Sequence, residues 1–146
     1  LDMKPSTLRR LRCLDFGCGT GRVARVLAAH FAHVSGYDPN AECIDEALRE
    51  CPSIVQGNLA FTNDPSALPE CDVAIAVNVL EHLDDATARA ALELMLRQAP
   101  VVVVWYAMAS NAAVMAPWLT AEQKAHAAAV HKAGGRIVVA VIRPEA

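Results

Sequence analysis

Between a stretch that reads as a strand and one that reads as a helix lies Gly17-Cys18-Gly19-Thr20-Gly21, and no other stretch constrains the fold as strongly. Residues 12–16, Arg-Cys-Leu-Asp-Phe, form a short apolar run halted by the first glycine, as expected of a buried strand. Residues 21–32 place Val23, Val26, Leu27 and Phe31 at spacings of three and four, which is one face of a helix. The glycines open backbone angles that other residues avoid, and they let a ligand approach the main chain. A strand, a tight glycine loop and a returning helix point to a strand–helix–strand unit in a parallel sheet.

The rest of the chain repeats that rhythm. A short helix through Thr7 and Leu11 feeds the first strand. Residues 34–37 read as a second strand, ending at Asp38-Pro39-Asn40. Residues 41–50 read as a helix with Ile44, Ala47 and Leu48 inward, and Cys51-Pro52 ends it because proline disfavours helix in the residue before it. Residues 54–56 are expected to form a third strand, and 57–69 a polar loop with a turn at Asn63-Asp64-Pro65. Residues 72–77 are nearly all apolar, as suits a strand covered on both faces. A helix over 84–98 buries Ala88, Leu92, Met95 and Leu96, and Pro100 breaks it before a strand at 101–105. Thr120 and Gln123 make a capping box for a helix over 120–132, which Gly134-Gly135 stops before a last strand at 136–142. Six strands alternating with helices predict a doubly wound, mostly parallel α/β sheet with helices on both faces, as one domain over 1–146.

Composition narrows the functions open to such a domain. With 54% apolar and 20% charged residues, disorder is excluded. The 13 basic and 16 acidic residues leave a net charge of -3, so there is no electrostatic footprint for nucleic acid. The longest apolar run, 99–109, falls short of the ~20 residues that span a bilayer. No basic leader with an apolar segment opens the chain, so a cytoplasmic protein without a membrane anchor is expected. Cysteines at 13, 18, 43, 51 and 71 are odd in number and form no C-x-x-C pair, which points to reduced, buried thiols.

The loop lies at the first strand-to-helix turn, where a doubly wound fold binds its ligand, and the helix start beyond it favours an anionic group. The nicotinamide fingerprint G-x-G-x-x-G would need glycine at Arg22, whereas this chain has glycines at 17, 19 and 21. A Tyr-x-x-x-Lys pair is also missing, because Ala41 and Ser110 stand four residues after Tyr37 and Tyr106. Asp38, about 20 residues past the loop at the end of the second strand, is placed to accept both hydroxyls of a ribose. Equally, Asp38-Pro39-Asn40 can act as a helix cap.

Taken together, Leu14 to Gly21, Gly36-Tyr37-Asp38 and Asn78-Val79-Leu80-Glu81-His82-Leu83 closely resemble class I S-adenosylmethionine (SAM)-dependent methyltransferases, in particular the small-molecule branch with V-L-E-H after strand four. The resemblance covers roughly residues 11–105. It implies that Asp15, Gly17 and Gly19, with Cys18 between them, line the methionine end of SAM. It further implies that Asp38 holds the ribose, flanked by Pro39 and Asn40, that Asn58 and Leu59 meet the adenine, and that the Asn78 carbonyl faces the methionine ammonium. S-adenosylhomocysteine (SAH) would be the product.

Methyl transfer is an in-line displacement at an activated carbon, so the protein chiefly positions the acceptor and removes its proton. Histidine ordinarily titrates near neutral pH, which makes His82 the candidate general base and Glu81 a lesser candidate. Both can instead simply order the loop that starts the next helix. Relatives with E-x-x-E-H bind a divalent ion here, but this chain has N-x-x-E-H, so no metal is expected. Trp105, Tyr106 and Met108 form either an acceptor wall or ordinary core. The remaining histidines, at 30, 33, 126 and 131, read as helix-end or surface residues.

The expected function is therefore methyl transfer to oxygen, nitrogen or carbon of a small-molecule or carrier-bound acceptor. The alternatives are a non-catalytic module that binds cofactor or a partner, and a nucleic-acid methyltransferase. At 146 residues the chain is short for a sheet that commonly has seven strands. Either the chain is trimmed or lacks some loops, or another subunit, in a homo- or hetero-oligomer, or a bulky substrate completes the acceptor pocket.

Overall fold

The computed structural model describes residues 4–51, 57–107 and 136–142. Helix α1 (Pro5–Leu8) precedes β1 (Arg12–Phe16), α2 (Arg22–Ala28), β2 (His33–Tyr37), α3 (Ala41–Glu50) and β3 (Leu59–Thr62). A 3-10 turn at Pro65–Ala67 leads to β4 (Val73–Val77), and a second at Leu80–His82 leads to α4 (Asp85–Gln98), β5 (Val101–Ala107) and β6 (Arg136–Ile142). The strands lie in the order β3-β2-β1-β4-β5-β6. From β1 to β5 all neighbours pair in parallel, and β6 closes the edge antiparallel to β5. The chain moves outward from β1 to β3 and then crosses to β4 on the other side of β1. That reversal opens a crevice beyond the carboxyl ends of β1 and β4.

Burial on both faces explains why the central strands read as unbroken apolar runs. On one face Cys13, Val34, Leu59 and Val73 pack with Ala24, Ala28 and Phe31 around α2. On the other, Leu14, Ala74, Val102 and Val104 pack with Ala88, Leu92 and Met95 of α4. Leu92 and Met95 are fully buried, and truncating either to alanine leaves a cavity costing about 2–5 kcal/mol. Two helices start on side-chain caps. Asn40 accepts the Glu42 N–H at 2.9 Å for α3, and Asp84 accepts the Thr87 N–H at 2.8 Å and its hydroxyl at 2.9 Å for α4.

The structure corrects several expectations. The third described strand is Leu59–Thr62, within the stretch expected to be a polar loop. Leu59 and Phe61 alternate inward there, and the Phe61 ring occupies the space that a Cβ on Gly36 would need. Residues 54–56 lie outside the described residues, as does the helix expected over 120–132. Helix α2 ends at Ala28, not at residue 32, and turns Ala24 and Ala28 to the sheet while Val26 is 62% exposed. The small residues win that face because α2 leaves the loop pressed close to the sheet. Leu48 likewise stands 53% exposed, and Ile44 and Ala47 alone make the buried stripe of α3. Leu96 is half-buried.

Candidate active site

The glycine loop is tied to β2 from two directions. The N–H groups of Gly17 and Cys18 both donate to the Tyr37 carbonyl, at 2.7 and 2.8 Å. One carboxylate oxygen of Asp38 accepts the Gly19 N–H at 2.9 Å and the other accepts the Asn40 N–H at 2.9 Å. Asn40 supplies the cap of α3, so Asp38 is not that cap. A carboxylate has about four acceptor positions, and after two backbone bonds Asp38 still has a lone pair on each oxygen. Two adjacent hydroxyls of a ribose match that remaining capacity. At Gly19 a Cβ would meet nothing within 4 Å, so the loop is open on this side.

Beyond the carboxyl ends of β1, β2 and β4 lies a cleft of about 690 Å³, to which Gly17, Asp38, Pro39, Asn78, Val79 and His82 contribute. Its walls continue through Leu83, just before α4, and along α4 through Thr87, Ala91 and Leu94 to Arg97. Phe16 and Tyr37, whose rings stand 5.0 Å apart, also line it. Asn78 has φ +55, and among the described residues no other non-glycine residue adopts a left-handed backbone. Asparagine tolerates this region better than most residues. Its N–H donates to the Trp105 carbonyl at 2.8 Å, which fastens the β4 tip to β5. His82 sits on the 3-10 turn, its N–H bonded to the Val79 carbonyl at 3.1 Å.

The sequence-derived candidates therefore separate. Gly17, Asp38, Pro39, Asn78 and His82 share one cleft, with Gly19 exposing an open face beside Asp38. Asp15 supports the loop from below instead of lining the cleft. It is 2% exposed, faces the Ala24 N–H near the start of α2, and leaves Oδ2 without a hydrogen-bond partner. Burial, opposed by that N–H and reinforced by Asp38, pushes its carboxyl up to about 7. Cys18 is buried with its thiol against the Gly19 carbonyl, and burial together with Asp15 and Asp38 raises its pKa and leaves it inert. Glu81 is half-buried on the His82 turn and does not line the cleft.

Asn58 and Leu59 must be withdrawn from the adenine position. They stand at the amino end of β3, on the opposite edge of the sheet from the loop. Asn58 Nδ2 donates to the carbonyls of Ala28 at 2.8 Å and Phe31 at 3.3 Å, closing the carboxyl end of α2, while Leu59 is core. The carboxyl tip of β3 carries Thr62, whose carbonyl accepts the Asp38 N–H at 3.3 Å, and Pro65 beyond it reaches the cleft. Sequence reasoning also missed the α4 face. Thr87, Ala91 and Leu94 recur at spacings of three and four, a signal that was present but cannot distinguish cleft from core. Trp105 is 46% exposed and Met108 lies outside the described residues. Among the described residues no group of three His, Cys, Asp or Glu side chains can hold a metal.

A doubly wound sheet of this order, with a glycine loop and an aspartate at its switch point, defines a Rossmann-like domain, and comparison with known proteins places it among the class I SAM-dependent methyltransferases. A family model described as a methyltransferase domain matches residues 2–129, and the chain belongs to that family. A curated relative, O-methyltransferase rstn1 of Aspergillus nomiae NRRL, is 36% identical over 87 residues, covering 55% of this chain and 39% of the relative. Magnesium protoporphyrin IX methyltransferase (ChlM) from Synechocystis PCC 6803, solved with bound SAM, is 25% identical with a TM-score of 0.61, covering 70% of this chain and 51% of that one. The fold is shared with phosphoethanolamine N-methyltransferase 1 of Haemonchus contortus, which is 19% identical with a TM-score of 0.59, covering 71% and 24%. The chain spans about half the length of these relatives, or less.

Proposed function

We propose that this chain is the cofactor-binding and catalytic domain of a SAM-dependent methyltransferase that acts on oxygen, nitrogen or carbon of a small-molecule or carrier-bound acceptor. The observation that carries this reading is the Asp38 carboxylate, tied to the glycine loop at Gly19 and sharing its cleft with Asn78 and His82. When bound, SAM supplies a methyl group on a sulfonium, already activated for displacement. Asp38 accepts the ribose diol, the side-chain-free backbone at Gly17 and Gly19 allows close approach, and the Asn78 carbonyl offers an acceptor to an ammonium group. His82 would take the proton that the acceptor atom loses on methylation. Val79, Leu83 and Leu94 keep that part of the cleft apolar.

This reading includes a cytoplasmic setting. Five cysteines without a disulfide suit a reducing compartment, and among the described residues no helix is long and apolar enough to cross a membrane. It also includes an oligomer in which a second subunit completes the acceptor side. Calorimetry with SAM and SAH, followed by a screen of metabolite acceptors for methyl transfer, tests the whole. Both ligands are expected to bind, and failure of both to bind would overturn the assignment. On an identified acceptor, His82→Ala should lower turnover by about 10²-fold or more while SAM affinity holds. Unchanged turnover would reduce His82 to a structural residue.

A further inference from the structure

The glycine loop and the turn bearing His82 approach the cleft from adjacent strands, β1 and β4, and one side chain joins them. Gly17 has φ +74, and a Cβ placed on it would lie 2.5 and 2.8 Å from the two γ-methyls of Val79. The Val79 isopropyl group thus fills the space that the missing side chain leaves. At Gly19, two residues on, the equivalent space is open. The loop is therefore closed by Val79 on one side and accessible on the other.

Val79 is itself held from both ends. Before it, the Asn78 N–H is bonded to the Trp105 carbonyl of β5; after it, the Leu80 side chain is fully buried. Its own carbonyl accepts the His82 N–H at 3.1 Å. One residue accordingly meets the loop with its side chain and holds the His82 amide with its backbone. A β-branched side chain has a restricted χ1, so the contact transmits displacement better than a flexible side chain would.

We propose that Val79 is a positioning residue: its isopropyl group, wedged against Gly17, sets where the His82 turn stands relative to the cofactor loop. The link from loop to acceptor base rests on the function proposed above, whereas the wedge itself is a property of the cofactor-free protein. The two can be tested apart by histidine-ring NMR, with the His82 resonance identified by its loss in His82→Gln. Without cofactor, Val79→Ala should move that resonance, and Val79→Thr, which keeps the branching, should leave it near its wild-type position. Gly17→Ala presses on the same contact from the other side and should also move it, circular dichroism reporting that each variant is folded.

With SAH added, the wild-type resonance should shift, and Val79→Thr should reproduce the shift. In Val79→Ala, at SAH concentrations that saturate the protein, the shift should fall to less than half of the wild-type value. Wild-type behaviour of Val79→Ala, both with and without SAH, would overturn the wedge. Failure of SAH to bind the wild-type protein would overturn the cofactor assignment instead, and the cofactor-free comparison would still decide the wedge.

Discussion

The two edges of the sheet carry the same polar residue types and use them in opposite ways. At the amino edge, Asp72 Oδ2 accepts the Arg12 N–H at 2.8 Å while the Asp72 N–H donates to the Arg12 carbonyl at 2.9 Å, a closed pair that fastens β4 to β1. On the same edge, two strands away before β3, Asn58 gives both of its amide bonds to the end of α2. At the carboxyl edge, Asp38 also bonds two backbone N–H groups, yet it does so beside an open loop and a cleft. Asn78 turns the chain through a left-handed backbone at the rim of that cleft. What separates the pairs is the strand end on which they stand. Parallel strands with reversing order splay their connections apart at the carboxyl edge only, so an aspartate there borders an open cleft and one at the amino edge is closed in by its own chain.

The largest test of this contrast concerns Asp15, beneath the loop. Its folded value near 7 lies above the ordinary 3.8, so the native protein holds a proton that the unfolded chain has already lost. The stability tied to this group is therefore complete below about pH 4 and is lost as the pH rises through 7, by an amount on the order of 4 kcal/mol. Urea denaturation at pH 5 and pH 8 spans the upper part of that window and should show a decline of about 3 kcal/mol in the wild type and a much smaller one in Asp15→Asn. Equal declines would mean that the buried carboxyl is ionised without penalty.

The two aspartates come next. Asp38→Ala should weaken SAM and SAH binding at least tenfold by calorimetry, about 1.4 kcal/mol or more. Asp72→Ala should change affinity less than twofold and remove about 1 kcal/mol of stability, the worth of one hydrogen bond. If the two variants bind alike, the edge rule fails for this protein. Asn58→Ala should match Asp72→Ala in size, lowering stability by about 1 kcal/mol and leaving SAH affinity within twofold. A large loss of affinity would return Asn58 to the cofactor site.

Much of the fold was legible because its signals are local. The glycine loop, the helix at Ala41–Glu50 and the strand at Arg136–Ile142 depend on punctuation and periodicity that neighbouring residues carry. Strand β3 was missed because a four-residue alternation of Leu59 and Phe61 amid polar residues is a weak pattern. Its stability comes from the ladder to β2 and from the Phe61 ring over Gly36, both of which join distant parts of the chain. The Asn58 error followed directly: with β3 expected at 54–56, Asn58 fell after the strand, and with β3 at Leu59–Thr62 it falls before it.

The chain's own pattern determined the α/β class, the loop at Gly17 to Gly21 and the acid at Asp38, since each needs only a short run of residues in order. The tertiary structure alone decided that Asp15 lies under the loop, that Asn58 closes a helix, and that Val79 meets Gly17. Each of those facts depends on the few ångströms separating elements from distant parts of the chain, and that distance is set by packing across the sheet, which no local pattern encodes.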